Sequence, residues 1–224
     1  TQDQCDVCAV SLESVEEAVA QAVSSKPRIL SLAPSTLGDV FSDIGRVAEA
    51  LDCSRRGIEL LEELSGRVSA VGEKTGALPH RPRVACIEWF DPLMVSANWI
   101  PELVRVAGGD PLFMDTGEKS APIEPGALST ADPDVLVLLP CGFDIARARN
   151  EIPVLENLPG WSSLSAVRSG RVFVVDGNAY FNRPGPRLVD SLEILAEILH
   201  PDLFPAHRRG TGWQPLGDRA PGPS

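Results

Sequence analysis

Asp176-Gly-Asn-Ala-Tyr-Phe-Asn-Arg-Pro-Gly-Pro-Arg187 separates two apolar runs of different character. Before it, Arg171-Val-Phe-Val-Val175 reads as a buried strand. After it, Leu188 to Leu199 repeats apolar residues at helical spacing. A strand-to-helix loop of this kind belongs to an α/β protein, where ligands gather outside the carboxyl ends of the strands. The loop carries Tyr180, the one tyrosine of the chain, with Phe181 beside it and Arg183 and Arg187 behind. Pro184-Gly185-Pro186 stiffens it. Adjacent aromatics on a polar loop imply a surface for them to cover.

Further strands and helices alternate around this segment. Arg83-Val-Ala-Cys-Ile-Glu88 and Asp134-Val-Leu-Val-Leu-Leu139 read as strands. Residues 89–98 read as a long aromatic-rich loop, and helices are expected over Ile100 to Ala107 and Phe143 to about Asn150. Upstream, helices are expected over Glu13 to Val23, with Ser11 as N-cap, and from Leu37 through Leu51 behind Pro34-Ser-Thr36. A third runs from Ser54 to about Thr75, and Arg28 to Ala33 reads as a short strand between the first two helices. Alternating strands and helices imply a parallel sheet covered on both faces. The Pro- and Gly-containing stretch 76–82 is the expected boundary, and the segment from Pro205 reads as a disordered tail.

The 224 residues carry 31 acidic and 20 basic side chains, a net charge of −11. An acidic chain without a basic run argues against a nucleic-acid partner. No apolar run is long enough to span a membrane. The first residues, Thr1-Gln-Asp-Gln-Cys5, do not read as a secretory leader, although a trimmed chain would look the same.

Cys5-Asp-Val-Cys8 is a C-x-x-C, but no strand precedes it as a redox motif requires. A zinc site would need two more ligands, and His80, His200 and His207 are scattered. Two ordinary cysteines near a helix start account for it more simply. Cys86 and Cys141 read as small buried hydrophobes. There is no P-loop, no G-x-S-x-G and no G-x-G-x-x-G after a strand, so no catalytic constellation and no catalytic cofactor are expected.

The aromatic candidates cluster at the expected strand ends. Trp89 and Phe90 follow the first strong strand and Trp99 opens the next helix. Phe143 lies in Cys141-Gly-Phe-Asp144, where Gly142 allows close approach. Together with Tyr180, Phe181, Asn182 and Arg183 they would form a flat apolar wall with polar groups to orient a large ligand. Core packing, with each indole N–H satisfied by backbone, is the competing account, above all for Trp99.

The order A-D-P-D-V-L-V-L-L-P, G-R-V-F-V-V-D and N-A-Y-F-N-R-P-G-P-R-L, closed by an amphipathic helix, resembles the substrate-binding proteins of ABC importers for cobalamin, haem and ferric siderophores. Among these it looks most like the cobalamin-binding members, and the likeness covers residues 1 to 204. The resemblance implies an α/β fold of two Rossmann-like lobes bridged by a long helix, here about Ser54 to Thr75. It implies a remnant of the N-terminal lobe over 1–36, a helical linker over 37–81 and a C-terminal lobe over 82–204. The N-terminal lobe would be incomplete. The implied function is non-catalytic binding of a corrinoid in the interlobe cleft, with Trp89, Phe90, Tyr180, Phe181, Asn182 and Arg183 on one wall. An ABC permease is the implied partner, and an extracytoplasmic location is implied. A ferric siderophore or haem is the alternative ligand. A cytoplasmic corrinoid-binding protein or a C-x-x-C redox protein stays open as a further reading.

Overall fold

A computed structural model describes residues 12–22, 27 and 29–217. Cys5, Cys8 and the Ser11 cap lie outside the described residues.

The sheet is built on β1 (Arg83–Phe90), β5 (Val135–Leu138) and β6 (Val172–Val175), which pair in parallel. Around them lie β2 (Leu93–Val95), β3 (Asp110–Pro111), β4 (Ala121–Pro122) and β7 (Trp213–Pro215). The strand order is β4-β2-β1-β5-β6-β7, with β3 paired to the start of β1. Strict alternation sends Val84, Cys86, Val135, Val137 and Val175 to one face and Ala85, Ile87, Leu136, Leu138 and Val174 to the other. Buried on both faces, the strands consist almost wholly of apolar residues, as a parallel sheet requires.

The first face is covered by α4 (Ile100–Val106) and α8 (Leu188–Leu199), with α2 (Leu37–Ala50) and α3 (Ser54–Gly76) beyond them. The second is covered by α5 (Pro125–Ala131), α6 (Ile145–Glu156) and α7 (Ser165–Arg168), with a short 3-10 turn at Trp161–Ser163. A further helix, α1 (Leu12–Ala22), precedes these.

Local chemistry sets the helix ends. Thr36 caps α2 in a capping box with Asp39, whose carboxylate accepts from Ser35 N and Thr36 N. These hydrogen bonds hold the Asp39 carboxyl below its ordinary value. Glu102 Oε2 accepts from Leu37 N at 2.9 Å, tying the start of α2 to α4. Asp52 turns the chain at φ 54° into α3, and Gly57 lets the two helices touch, since a Cβ there would run into Ala48. Asp144 caps α6 by accepting from Arg147 N at 2.7 Å.

Four sequence expectations are corrected. The strand expected over 28–33 reduces, among its described residues, to a bridge at Leu32. The loop expected over 89–98 is largely a hairpin, because β1 runs to Phe90 and the cis Asp91–Pro92 turn returns the chain as β2. The helix expected to stop near Asn150 continues to Glu156 through Pro153. The tail expected from Pro205 is placed through Gly217: Trp213–Pro215 pairs with β6 as an antiparallel edge strand, and Trp213 is buried. Its indole N–H donates to Glu197 at 2.6 Å, which a run rich in Pro, Gly and Arg does not announce. Among the described residues, no helix is long and apolar enough to cross a membrane.

Candidate functional site

The carboxyl ends of β1, β5 and β6 lie side by side, so the loops that follow them share one edge of the sheet. Asn178 N donates to Phe143 O at 3.1 Å and Asn182 Nδ2 to Leu139 O at 2.8 Å, which fastens the third loop to the second. Gly177 permits this, since any Cβ there would collide with Pro140 O.

Trp89 is the accessible aromatic of this edge, at 37% exposure, whereas Trp99, Trp161 and Trp213 are buried. Its indole donates to Asp91 O at 3.0 Å, which fixes the ring. Phe143 meets it edge-to-face, with centroids 5.4 Å apart and planes at 61°. The Arg147 guanidinium sits 4.3 Å from the Phe143 centroid. The result is a fixed ledge of two rings with a cation at its margin.

The other sequence candidates divide. Phe90, Trp99 and Phe181 are at 6%, 4% and 0% exposure, and the wall expected of them is corrected: they are core. For Phe90 the cause is a β-bulge between Ile87 and Trp89, which shifts the alternation so that Trp89 points outward and Phe90 inward. Trp99 donates its indole N–H to Phe181 O at 2.7 Å. Phe181, at φ 54°, donates its backbone N–H to the buried Ser191 hydroxyl. These two rings pin the loop to α4 and α8. Asn182 uses its amide on Leu139 O and Gly177 O, so it is a clamp. Tyr180 is half-buried, with Arg208 5.8 Å from its ring centroid. Arg183 is exposed.

Two residues at this edge escaped the sequence reading. Arg147 follows Asp144 by three residues, which puts it in the first turn of α6 above Phe143; that spacing was a usable signal. Glu88, next to Trp89, accepts from the Ser120 hydroxyl at 2.8 Å. Burial pushes its carboxyl above the ordinary value, against that hydrogen bond. Ser120 also accepts from Ala97 N, so the acid is held between β1 and the chain leading into β4.

The histidines lie elsewhere. His200 contacts Gly108 O at 3.2 Å, beyond the opposite end of the strands, and His80 and His207 are exposed. Among the described residues, no three His, Cys, Asp or Glu side chains come together as a metal site. Burial pushes the Cys86 thiol up to about 12, so it stays a protonated packing group.

A mixed sheet with parallel central strands, an aromatic ledge at their carboxyl ends and a helix of 23 residues packed on α8 define an α/β protein. The chain belongs to the periplasmic binding protein family, whose sequence pattern matches residues 6–179. An uncharacterized ABC transporter substrate-binding lipoprotein of Bacillus subtilis (strain 168), YvrC, is 22% identical over 75% of this chain. That stretch is 52% of the relative, so the chain spans about half its length. Among solved structures, the periplasmic heme-binding protein RhuT from Roseiflexus sp. RS-1 superposes with a TM-score of 0.71 at 23% identity, over 86% of this chain and 73% of that one. An ABC-type Fe3+-hydroxamate transport system from Saccharomonospora viridis DSM 43017 gives a TM-score of 0.68 at 24% identity, over 89% and 68% of the two chains. At these identities the superpositions establish the fold.

Proposed function

We propose that this chain is the non-catalytic solute-binding component of an ABC importer and works outside the cytoplasm. Its ligand is a ferric siderophore held against Trp89 and Phe143. Family membership and the transporter role in the YvrC name support the first part. The ledge carries the second: a fixed, accessible indole braced by a phenyl ring, with Arg147 at its margin and Arg183 on the neighbouring loop. Aromatic faces suit the apolar flank of a large chelate, and guanidinium groups suit its oxygen-rich or anionic parts. A siderophore brings the full donor set for its iron, so the protein need supply shape and charge alone.

Haem is the related alternative, and the RhuT name supports it. Tyr180, the one tyrosine in the sequence, would then be the candidate axial ligand. A corrinoid, the ligand of the family members that the motif order resembles most, would stack on the same ledge. Its amide side chains would meet Arg183.

One titration separates these. Quenching of indole emission reports ligand binding, and comparison with Trp89→Phe separates the part that comes from the exposed indole. A ferric hydroxamate chelate is expected to quench saturably, with hemin and cyanocobalamin as comparison ligands. Trp89→Phe should lower the signal, and Trp89→Ala should weaken binding by about tenfold or more, as for a central aromatic contact. If none of the three ligands quenches or is retained through gel filtration, the reading fails. Tighter binding of hemin or cyanocobalamin would reassign the ligand.

A further inference from the structure

The amino ends of β1, β5 and β6 form the edge of the sheet opposite the ledge. Asp134 N donates to Arg83 O and Leu136 N to Arg171 O, so these strand starts stand side by side. Ala166 N donates to Pro133 O and Arg171 N to Ala166 O, which fixes α7 to the same edge. A recess of about 510 Å³ opens there, lined by His80, Asp134, Ser165, Arg168, Ser169 and Arg171. Its neutral donors are already used. Ser165 gives both its N–H and its hydroxyl to Asp132, and the Ser169 hydroxyl donates to Ser165 O at 2.7 Å. Its one carboxylate is held as well: Asp134 Oδ2 accepts from Arg83 N at 2.8 Å. The cations are not spent in this way. Arg171 and Arg83 donate to the carbonyls of Leu199 and Asp132, and Arg81 to that of Arg105. A carbonyl positions a guanidinium without cancelling its charge. The side chains of Arg168 and His80 are exposed and make no hydrogen bond or ion pair among the described residues. Four guanidinium groups thus stand against the carboxylates of Asp110, Asp132 and Asp134, with His80 beside them, on a chain whose net charge is −11. Hydrogen bonds from Ser165, helped by the Arg168 and Arg83 charges, hold the Asp132 carboxyl below its ordinary value, so the field of these groups is felt at this edge.

We propose that this recess binds a phosphate group, with Arg168, Arg171 and His80 as its donors. Guanidinium forks match phosphate oxygens, and charge-assisted bonds of this kind are the strong ones. A phosphate presents enough oxygens to accept from three donors at once, whereas a carboxylate has two. With the serine hydroxyls and the Ser165 N–H committed to the protein, recognition rests on charge, so an uncharged polyol does not meet it. The volume lies within the range of small-molecule sites, about 300–1,000 Å³. The recess and the ledge lie at opposite ends of the same strands and share no residue, so occupancy of one leaves the other open.

Calorimetric titration of the whole chain with inorganic pyrophosphate at low ionic strength tests this. Binding is expected to saturate at one site per chain and to weaken as salt is added. Arg168→Ala with Arg171→Gln should weaken it about tenfold or more. Arg55→Ala with Arg56→Ala removes the same charge from exposed positions near the start of α3 and should leave it unchanged, as should Trp89→Ala. The phosphate can be free or carried by a lipid, and sedimentation with phosphatidylglycerol vesicles tells these apart. Retention on vesicles that pyrophosphate displaces, and that the Arg168 and Arg171 changes remove, names a lipid headgroup. Pyrophosphate binding without retention names a free phosphate compound. The proposal is overturned if pyrophosphate does not saturate. It is equally overturned if the two arginine pairs weaken binding alike, since the attraction would then belong to no particular site. Arg171 also donates to Leu199 O, so if the double variant fails to fold, Arg168→Ala alone decides.

Discussion

Phe181 shows how far a side chain's neighbours outweigh its sequence context. It lies in a polar loop between Tyr180 and Asn182, yet it is fully buried and its carbonyl receives the Trp99 indole. Phe181→Ala is therefore expected to cost about 3–5 kcal/mol, the usual range for a truncated core aromatic. Denaturant unfolding checks this. A variant that lost ligand affinity with unchanged stability would return Phe181 to the binding wall. Trp89 is the opposite case. Its neighbours Glu88 and Phe90 both turn inward to some degree, but the bulge leaves the indole outside. Trp89→Ala should cost about 1–2 kcal/mol, less than Phe181→Ala, because the indole is partly exposed and loses its contact with Phe143.

Among the elements, α3 is the one whose attachment matters most. Alone it is a weak helix: Gly57, Gly66 and Gly72 each cost about 1 kcal/mol against alanine. Packing and a charge network hold it in place. Arg67 on α3 donates to Asp190 at 2.6 Å and to both oxygens of Glu193 on α8. Arg208 joins Asp190 from the chain leading into β7. Burial raises the Glu193 carboxyl, but the Arg67 and Arg208 guanidinium groups hold it below its ordinary value overall. The same two carboxylates raise the Arg67 guanidinium further above its already high range. The network is partly exposed, so Arg67→Met should cost about 1–2 kcal/mol rather than the larger penalty of a buried broken pair. Thermal melts in low and high salt test this, and a loss that is the same at both would assign the cost to packing. Truncation before Trp213 should be more damaging, since it strips β7 from the sheet edge and exposes Phe173, which packs edge-to-face on Trp213.

Between pH 7 and pH 5, His200 is expected to lower the stability of the whole molecule. Burial makes its imidazole less basic than usual, opposed by the contact with Gly108 O. A base with a lowered folded pKa binds protons more weakly when folded. Unfolding is then favoured as the pH falls below about 6.5, the unfolded value. The stability lost should appear as a decline in melting temperature from pH 7 toward pH 5, and His200→Gln should flatten it. Glu88 acts with the opposite sign, since its raised carboxyl pKa makes the folded state bind a proton more tightly. The difference between wild type and variant therefore isolates His200. A variant with an unchanged slope would remove the imidazole from the account.

Much of this fold could be read in the chain because its signals are local. The strands of the sheet core are continuous apolar runs, α2 and α8 repeat at helical spacing, and Thr36 with Asp39 spells a capping box. These features depend on neighbours a few residues apart, and so does the position of the loop 176–187 at a strand end. The direction each aromatic faces does not. A bulge in β1 sorted Trp89 from Phe90, and an indole N–H needing a buried acceptor sent Trp99 to Phe181. The pairing of Trp213–Pro215 with β6 joined residues about 40 positions apart in the chain. Hydrogen-bond partners, sheet edges and the two sides of a bulge exist only once distant segments meet. The sequence therefore determined the strands of the sheet core, the helices that cover them and where a ligand would be sought. Tertiary packing decided that the ledge is Trp89 and Phe143, with three of the eight expected residues kept inside to hold it.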